Sequence, residues 1–208
     1  MRFHPYNVTP MPPDTSPFAE DLKLIPLAVS DDTARAALKW VRKLPDKAWA
    51  AVNARSKDRS RIKFSAHHFY GEANSWGRRV PPELLLLGHE AVEAARRKIP
   101  DAPWNDFQID TLVLNRYPRN KGVGYHKDPP RWVPLVVGVT LYDDPYGPLS
   151  VMQFQVGGQK EVDVTTSHRS AYVFHGRAYT DAMHSRKPGV ARQKGNVYSF
   201  TFRAKAAE

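Results

Sequence analysis

The 208-residue sequence contains no cysteine. That absence excludes disulfide frameworks, thiolate metal sites and cysteine nucleophiles, so a resident metal would have to sit on His, Asp or Glu. No uninterrupted apolar run approaches the roughly 18 residues that a membrane-spanning helix requires. The opening Met1-Arg2-Phe3-His4-Pro5 also lacks the apolar segment of a secretory leader. The expected location is therefore intracellular, in cytoplasm or nucleus, with no membrane attachment. Internal repeats and low-complexity tracts are missing too, so the chain does not read as a repeat array.

What is present suits one domain with a sizeable core. Five prolines among polar residues make residues 1–20 an extended N-terminal arm, and 21–208 then form a single domain whose barrel core spans about 105–203. With 18 prolines in all, a long helical bundle is disfavoured and a β-rich domain expected. Lysine and arginine outnumber aspartate and glutamate by 31 to 21, and the net charge of +10 draws the protein toward polyanions, nucleic acid first among them. A surface that merely happens to be basic is the bland alternative. Nothing in the sequence demands a partner copy, and a monomer is expected.

Capping residues Ser30, Asp31 and Asp32 precede Ala34, Ala37, Leu38, Val41 and Leu44 at helical spacing, and Pro45 closes that helix. A second helix begins near Pro81-Pro82-Glu83 and ends at Arg96-Arg97-Lys98, where cations suit the carboxyl-terminal dipole. Beyond residue 105, short β-branched and aromatic runs separated by Pro, Gly and Asp predict strands near 107–116, 123–127, 134–142, 150–156, 160–165, 170–175 and 196–203. The last of these alternates cleanly. Val197, Ser199, Thr201 and Arg203 share one face and Tyr198, Phe200 and Phe202 the other, as if the aromatics packed outside a barrel while Arg203 reached an anion within. Arg203 could equally be the solvent-facing end of a terminal strand.

Tyr125-His126-Lys127-Asp128 is the most informative short segment. On an extended strand His126 and Asp128 project to one side and can bind one ion together, although His-x-Asp alone also arises by chance. His184 is the candidate third ligand, because two histidines and a carboxylate make the facial triad of non-haem Fe(II) oxygenases and leave three positions open. His175 competes with it, yet sits in the apolar run Ala171-Tyr172-Val173-Phe174 and reads better as a core or supporting histidine.

Four segments follow one another in order: Leu114-Asn115-Arg116-Tyr117, Gly124-Tyr125-His126-Lys127-Asp128, the stretch from Gly176 to His184, and Tyr198-Ser199-Phe200-Thr201-Phe202-Arg203. Over roughly residues 60–203 they resemble the motifs of the AlkB family of Fe(II)- and 2-oxoglutarate-dependent dioxygenases. The resemblance implies an α+β, mainly β fold, a double-stranded β-helix or jelly roll with supporting N-terminal helices and the metal in its mouth. It implies His126, Asp128 and His184 as ligands of Fe(II), with 2-oxoglutarate and O2 as co-substrates. Asn115, Tyr117, Ser199 and Arg203 would contact 2-oxoglutarate. The family's usual earlier arginine, six positions before Arg203, is here Val197, so that contact is lost or is supplied by another cation such as Arg192 or Lys194.

On the substrate side, the segments 59–64 and 67–71 resemble the family's substrate-facing hairpin, with Arg61, His68, Phe69, Tyr70 and Trp76 as candidate contacts and Lys127 beside the metal. Cations interleaved with aromatics suit phosphates and stacked bases, though an ordinary amphipathic hairpin has the same composition. Arg116, Arg119, Lys121 and Arg131 are expected around the mouth. The implied reaction is oxidative demethylation of an N-alkylated base in single-stranded or flipped nucleic acid, yielding succinate, CO2 and formaldehyde. The rivals are a same-fold oxygenase acting on an unmethylated base, a protein or a lipid, and a catalytically silent nucleic-acid-binding module.

Overall fold

The computed structural model describes residues 18, 20–53, 56–65, 79–118, 121–128, 132–147, 149–157, 162–187 and 195–205, with the backbone alone at 47, 50–53, 56–65 and 106. Its strands are β1 (Leu22–Ile25), β2 (Ala50–Asn53), β3 (Ser56–Ser65), β4 (Thr111–Tyr117), β5 (Val123–His126), β6 (Leu135–Tyr142), β7 (Ser150–Gln155), β8 (Val162–Thr166), β9 (Ser170–His175), β10 (Met183–Arg186) and β11 (Val197–Arg203). They form a seven-stranded sheet in the order β1-β9-β6-β11-β4-β3-β2 and a four-stranded sheet in the order β5-β10-β7-β8. The pairs within both sheets are antiparallel, and the two sheets face each other as a jelly roll.

Helix α1 (Asp31–Arg42) starts where Ser30 Oγ accepts the Thr33 amide at 3.2 Å. Helix α2 (Pro82–Lys98) opens on proline and closes on Arg96, Arg97 and Lys98, which complement its negative end. Glu90 of α2 ties the helices together by accepting from the Ser30 amide at 2.7 Å and from the Thr33 hydroxyl at 2.6 Å. A short helix α3 (Gly176–Thr180) follows β9.

Strand parity divides the core in two. Leu84, Leu87 and Ala91 of α2 pack on Leu112 and Leu114 of β4, on Leu135, Val137, Val139 and Leu141 of β6, and on Tyr198, Phe200 and Phe202 of β11. Between the sheets lie Val136, Tyr172 and Phe174 from one side and Met152, Phe154 and Val164 from the other. The aromatics of β11 thus lie outside the barrel, under the helices, as the alternation predicts. Gly138 permits the closest approach inside: a Cβ there would collide with the Tyr172 ring.

Several expectations shift. The strand predicted from residue 107 starts at Thr111, because Trp104–Asp106 form a 3-10 turn that Phe107 ends. His184 lies on β10, where only a connection is expected, and β1 and β2 are further unpredicted strands. Within the segment read as an arm, Phe18 is buried in the core between the sheets, and its carbonyl accepts the amides of Asp21 and Leu22. No helix among the described residues is long and apolar enough to cross a membrane.

Candidate metal centre

Strand pairing builds the centre. His126 ends β5 directly opposite His184 of β10, and the two rings lie 4.4 Å apart. Phe154 and Phe174 back the His184 ring at 5.8 and 5.1 Å, leaving it 8% exposed. Asp128 follows two residues after His126, so one extended segment presents both side chains to the same side. The donor atoms of His126, Asp128 and His184 all lie within 4.8 Å of one another. His175 is elsewhere, with the parity of Ala171 and Val173 and its Nδ1 3.9 Å from Asp21.

The donor chemistry fits a divalent ion. His126 Nδ1 lies 2.9 Å from the Gly124 carbonyl, which can only accept, so Nδ1 carries the hydrogen and Nε2 offers its lone pair. Asp128 Oδ1 accepts from Arg203 Nη2, in an ion pair whose side chains are 12% and 4% exposed, Arg203 first. Asp128 Oδ2 is buried with no hydrogen-bond partner and is the oxygen left for a cation. Burial, and next the Asp128 charge, push the nearby Tyr179 phenol up to about 12 against the opposing Arg203, so it stays neutral.

The expected 2-oxoglutarate contacts lie on the inner face. Asn115 is 5% exposed and its Oδ1 is buried without a partner; Arg203 Nε is in the same condition. Tyr117 is buried, and the Ser199 hydroxyl lies 2.9 Å from that of Tyr172, which also lies 3.3 Å from Thr201 Oγ1. Burial raises the Tyr172 phenol, with Arg186 opposing. Arg192 and Lys194 fall outside the described residues, as do His68, Phe69, Tyr70, Trp76, Arg119 and Arg131. Arg61 lies on β3 opposite Asn115. Lys127 donates from Nζ to the Thr180 carbonyl at 3.0 Å, joining the rim to α3. Arg116 is a correction: it sits on the helix side, 4.6 Å from the Trp49 ring centre and 2.7 Å from Asp46, because its parity is opposite to that of Asn115 and Tyr117.

Sequence reasoning missed Arg186 and Tyr172. Arg186 stands two residues after His184, the same offset that links His126 to Asp128, and it is 3% exposed.

No family model and no curated protein sequence matches this chain. Solved structures match its fold. OsALKBH1 aligns with a TM-score of 0.64 at 13% identity, over 88% of this chain and 97% of that one. A Pseudomonas putida prolyl-4-hydroxylase aligns at 0.59 and 12% identity, over 91% and 96%. A 2OG-Fe(II) oxygenase family oxidoreductase from Burkholderia pseudomallei aligns at 0.61 and 12% identity, over 89% and 84%. The shared feature is the fold: an AlkB-like jelly roll of the 2-oxoglutarate-Fe(II) oxygenase type.

Proposed function

We propose that this chain, which has the fold of the 2-oxoglutarate-Fe(II) oxygenases, is such an oxygenase and demethylates N-alkylated bases of single-stranded or flipped nucleic acid, releasing succinate, CO2 and formaldehyde. The observation that carries the reading is the convergence of His126, Asp128 and His184 in the barrel mouth, with Arg203 fixing the second oxygen of Asp128.

His126, Asp128 and His184 would hold the Fe(II), a donor set that suits an ion which also takes a 2-oxo acid and O2. Bound Fe(II) supplies the oxidising chemistry. The chain's own contribution is positional. Arg203 orients Asp128 and has Nε free for the 2-oxo acid; Asn115 Oδ1 is also buried with no hydrogen-bond partner. Phe154 and Phe174 keep water from one side of His184, and Lys127 holds the rim against α3.

Two observations favour a nucleic-acid substrate: the net charge of +10 and the fold shared with an AlkB homologue. The test is succinate release with and without methylated single-stranded DNA or RNA. Release should rise with the methylated oligonucleotide and be matched by formaldehyde. Succinate that responds to no oligonucleotide would remove nucleic acid from the proposal. The prolyl-4-hydroxylase neighbour supports a second reading, hydroxylation of a protein side chain. A proline-containing peptide that gains one oxygen in the same assay would favour it.

A further inference from the structure

Arg186 is a buried cation whose contacts are all neutral. Nη1 donates to Ser150 Oγ at 2.8 Å, Nη2 donates to Thr140 Oγ1 at 3.2 Å, and the guanidinium carbon lies 5.1 Å from the Tyr117 ring centre. No carboxylate among the described residues pairs with it. Burying a guanidinium without a counter-charge is costly, and a sheet-to-sheet staple between two hydroxyls does not need a charge. Its setting is built: Ser150 and Thr140 are buried, and the Ser150 amide donates to Tyr142 Oη at 2.7 Å while Tyr142 Oη donates to the Thr166 carbonyl at 2.8 Å.

We propose that Arg186 binds the distal carboxylate of 2-oxoglutarate, a role for which Val197 has no charge to offer. The assignment rests on the oxygenase reading above. Arg186 lies on the same side of β10 as His184, displaced by two residues or about 6–7 Å. An extended five-carbon diacid spans about 5 Å, so one held beside His184 ends near Arg186. Arg203 pairs with Asp128, so the Nε it can offer the acid lies at the metal end. Val197 packs in an apolar cluster with Tyr117 and Tyr142, and it is over Tyr117 that the Arg186 guanidinium lies. From the four-stranded sheet Arg186 reaches Thr140 of β6, the strand partner of Ser199. It therefore crosses the barrel at the level of Val197 and Ser199.

Anaerobic calorimetry on the Fe(II)-loaded protein tests this with two titrants, 2-oxoglutarate and 2-oxobutyrate, which shares the chelating head and lacks the distal carboxylate. Arg186→Gln should weaken 2-oxoglutarate about 30- to 100-fold, the loss of a charge-assisted pair, and leave 2-oxobutyrate within about twofold. Unchanged 2-oxoglutarate affinity, or an equal loss for both acids, overturns the assignment of Arg186 and leaves the oxygenase reading standing. Failure of the unaltered protein to bind either acid sinks the oxygenase reading, and this assignment with it. If circular dichroism shows Arg186→Gln unfolded, Arg186→Lys keeps the charge with shorter reach. A fall confined to 2-oxoglutarate then supports the assignment; no fall, or a parallel one, overturns it.

Discussion

Arg203→Met isolates the electrostatics of the centre. The substitution roughly preserves the length of the aliphatic stem and removes the only charge that pairs with Asp128 among the described residues. The Asp128 carboxylate, 4% exposed, is left with neither a counter-charge nor a donor on Oδ2. Removing one partner of a buried pair costs about 3–5 kcal/mol. For a chain of this size each kcal/mol lowers the melting temperature by about 2–4 °C, which gives a fall of about 6–20 °C in the presence of chelator. A divalent ion supplies another counter-charge to the same carboxylate and no longer faces the guanidinium, so the variant should bind Mn(II) more tightly than the wild type and the loss should shrink at one fixed, saturating Mn(II) concentration. The assay is thermal and urea unfolding with chelator or with Mn(II). Adding Asp128→Leu to the Arg203→Met variant should recover most of the chelator-state loss, since removing both charges together is close to neutral. A loss below about 1 kcal/mol, a loss indifferent to metal, or no recovery in the double variant would refute the reasoning.

Other perturbations have defined outcomes. Gly138→Ala drives a methyl into the Tyr172 ring and should cost about 1–3 kcal/mol in urea unfolding; a neutral result would mean that Tyr172 does not fill the barrel there. His168 accepts the Tyr142 amide on Nδ1 at 3.1 Å, and burial, then the charges of Arg169 and Arg42, push its pKa down from 6.5 to about 4. The unfolded chain takes up the proton first on acidification, so stability is full above about pH 6.5 and is lost as pH falls toward 4. His168→Asn removes the proton site and should flatten that slope in unfolding measured across the window; an unchanged slope would contradict the assignment. Burial raises the Glu90 carboxyl, but hydrogen bonds from Thr33 and Ser30 and the charge of Arg169 hold it below the usual range. Glu90→Ala loses those bonds and should cost about 1–2 kcal/mol, measured by urea unfolding; the wild-type value in the variant would show that the link between α1 and α2 contributes nothing.

Where a side chain's position follows from its neighbours in sequence, the structure was legible beforehand. The two-residue period of β11 separates Ser199, Thr201 and Arg203 from Tyr198, Phe200 and Phe202, and the same period joins His126 to Asp128. Cap and proline signals marked α1 and α2 closely. What escaped depends on contacts made far along the chain. Met183-His184-Ser185-Arg186 has no apolar alternation, and it becomes a strand because β5 and β7 flank it on both edges. Without that strand Arg186 had no predicted direction, although a strand at His184 would have turned it inward. Phe18 and β1 are held by docking against the inter-sheet core and β9. Its neighbourhood in sequence points Arg116 to the mouth, whereas its strand parity carries it to Trp49.

The central claim is that His126, Asp128 and His184 hold one ferrous ion with room beside it for a 2-oxo acid. Anaerobic absorption spectroscopy reads this directly. Adding Fe(II) and 2-oxoglutarate together should produce a metal-to-ligand charge-transfer band that neither produces alone and that His184→Ala abolishes. No band in the folded wild-type protein, or an undiminished band in His184→Ala, would contradict the account.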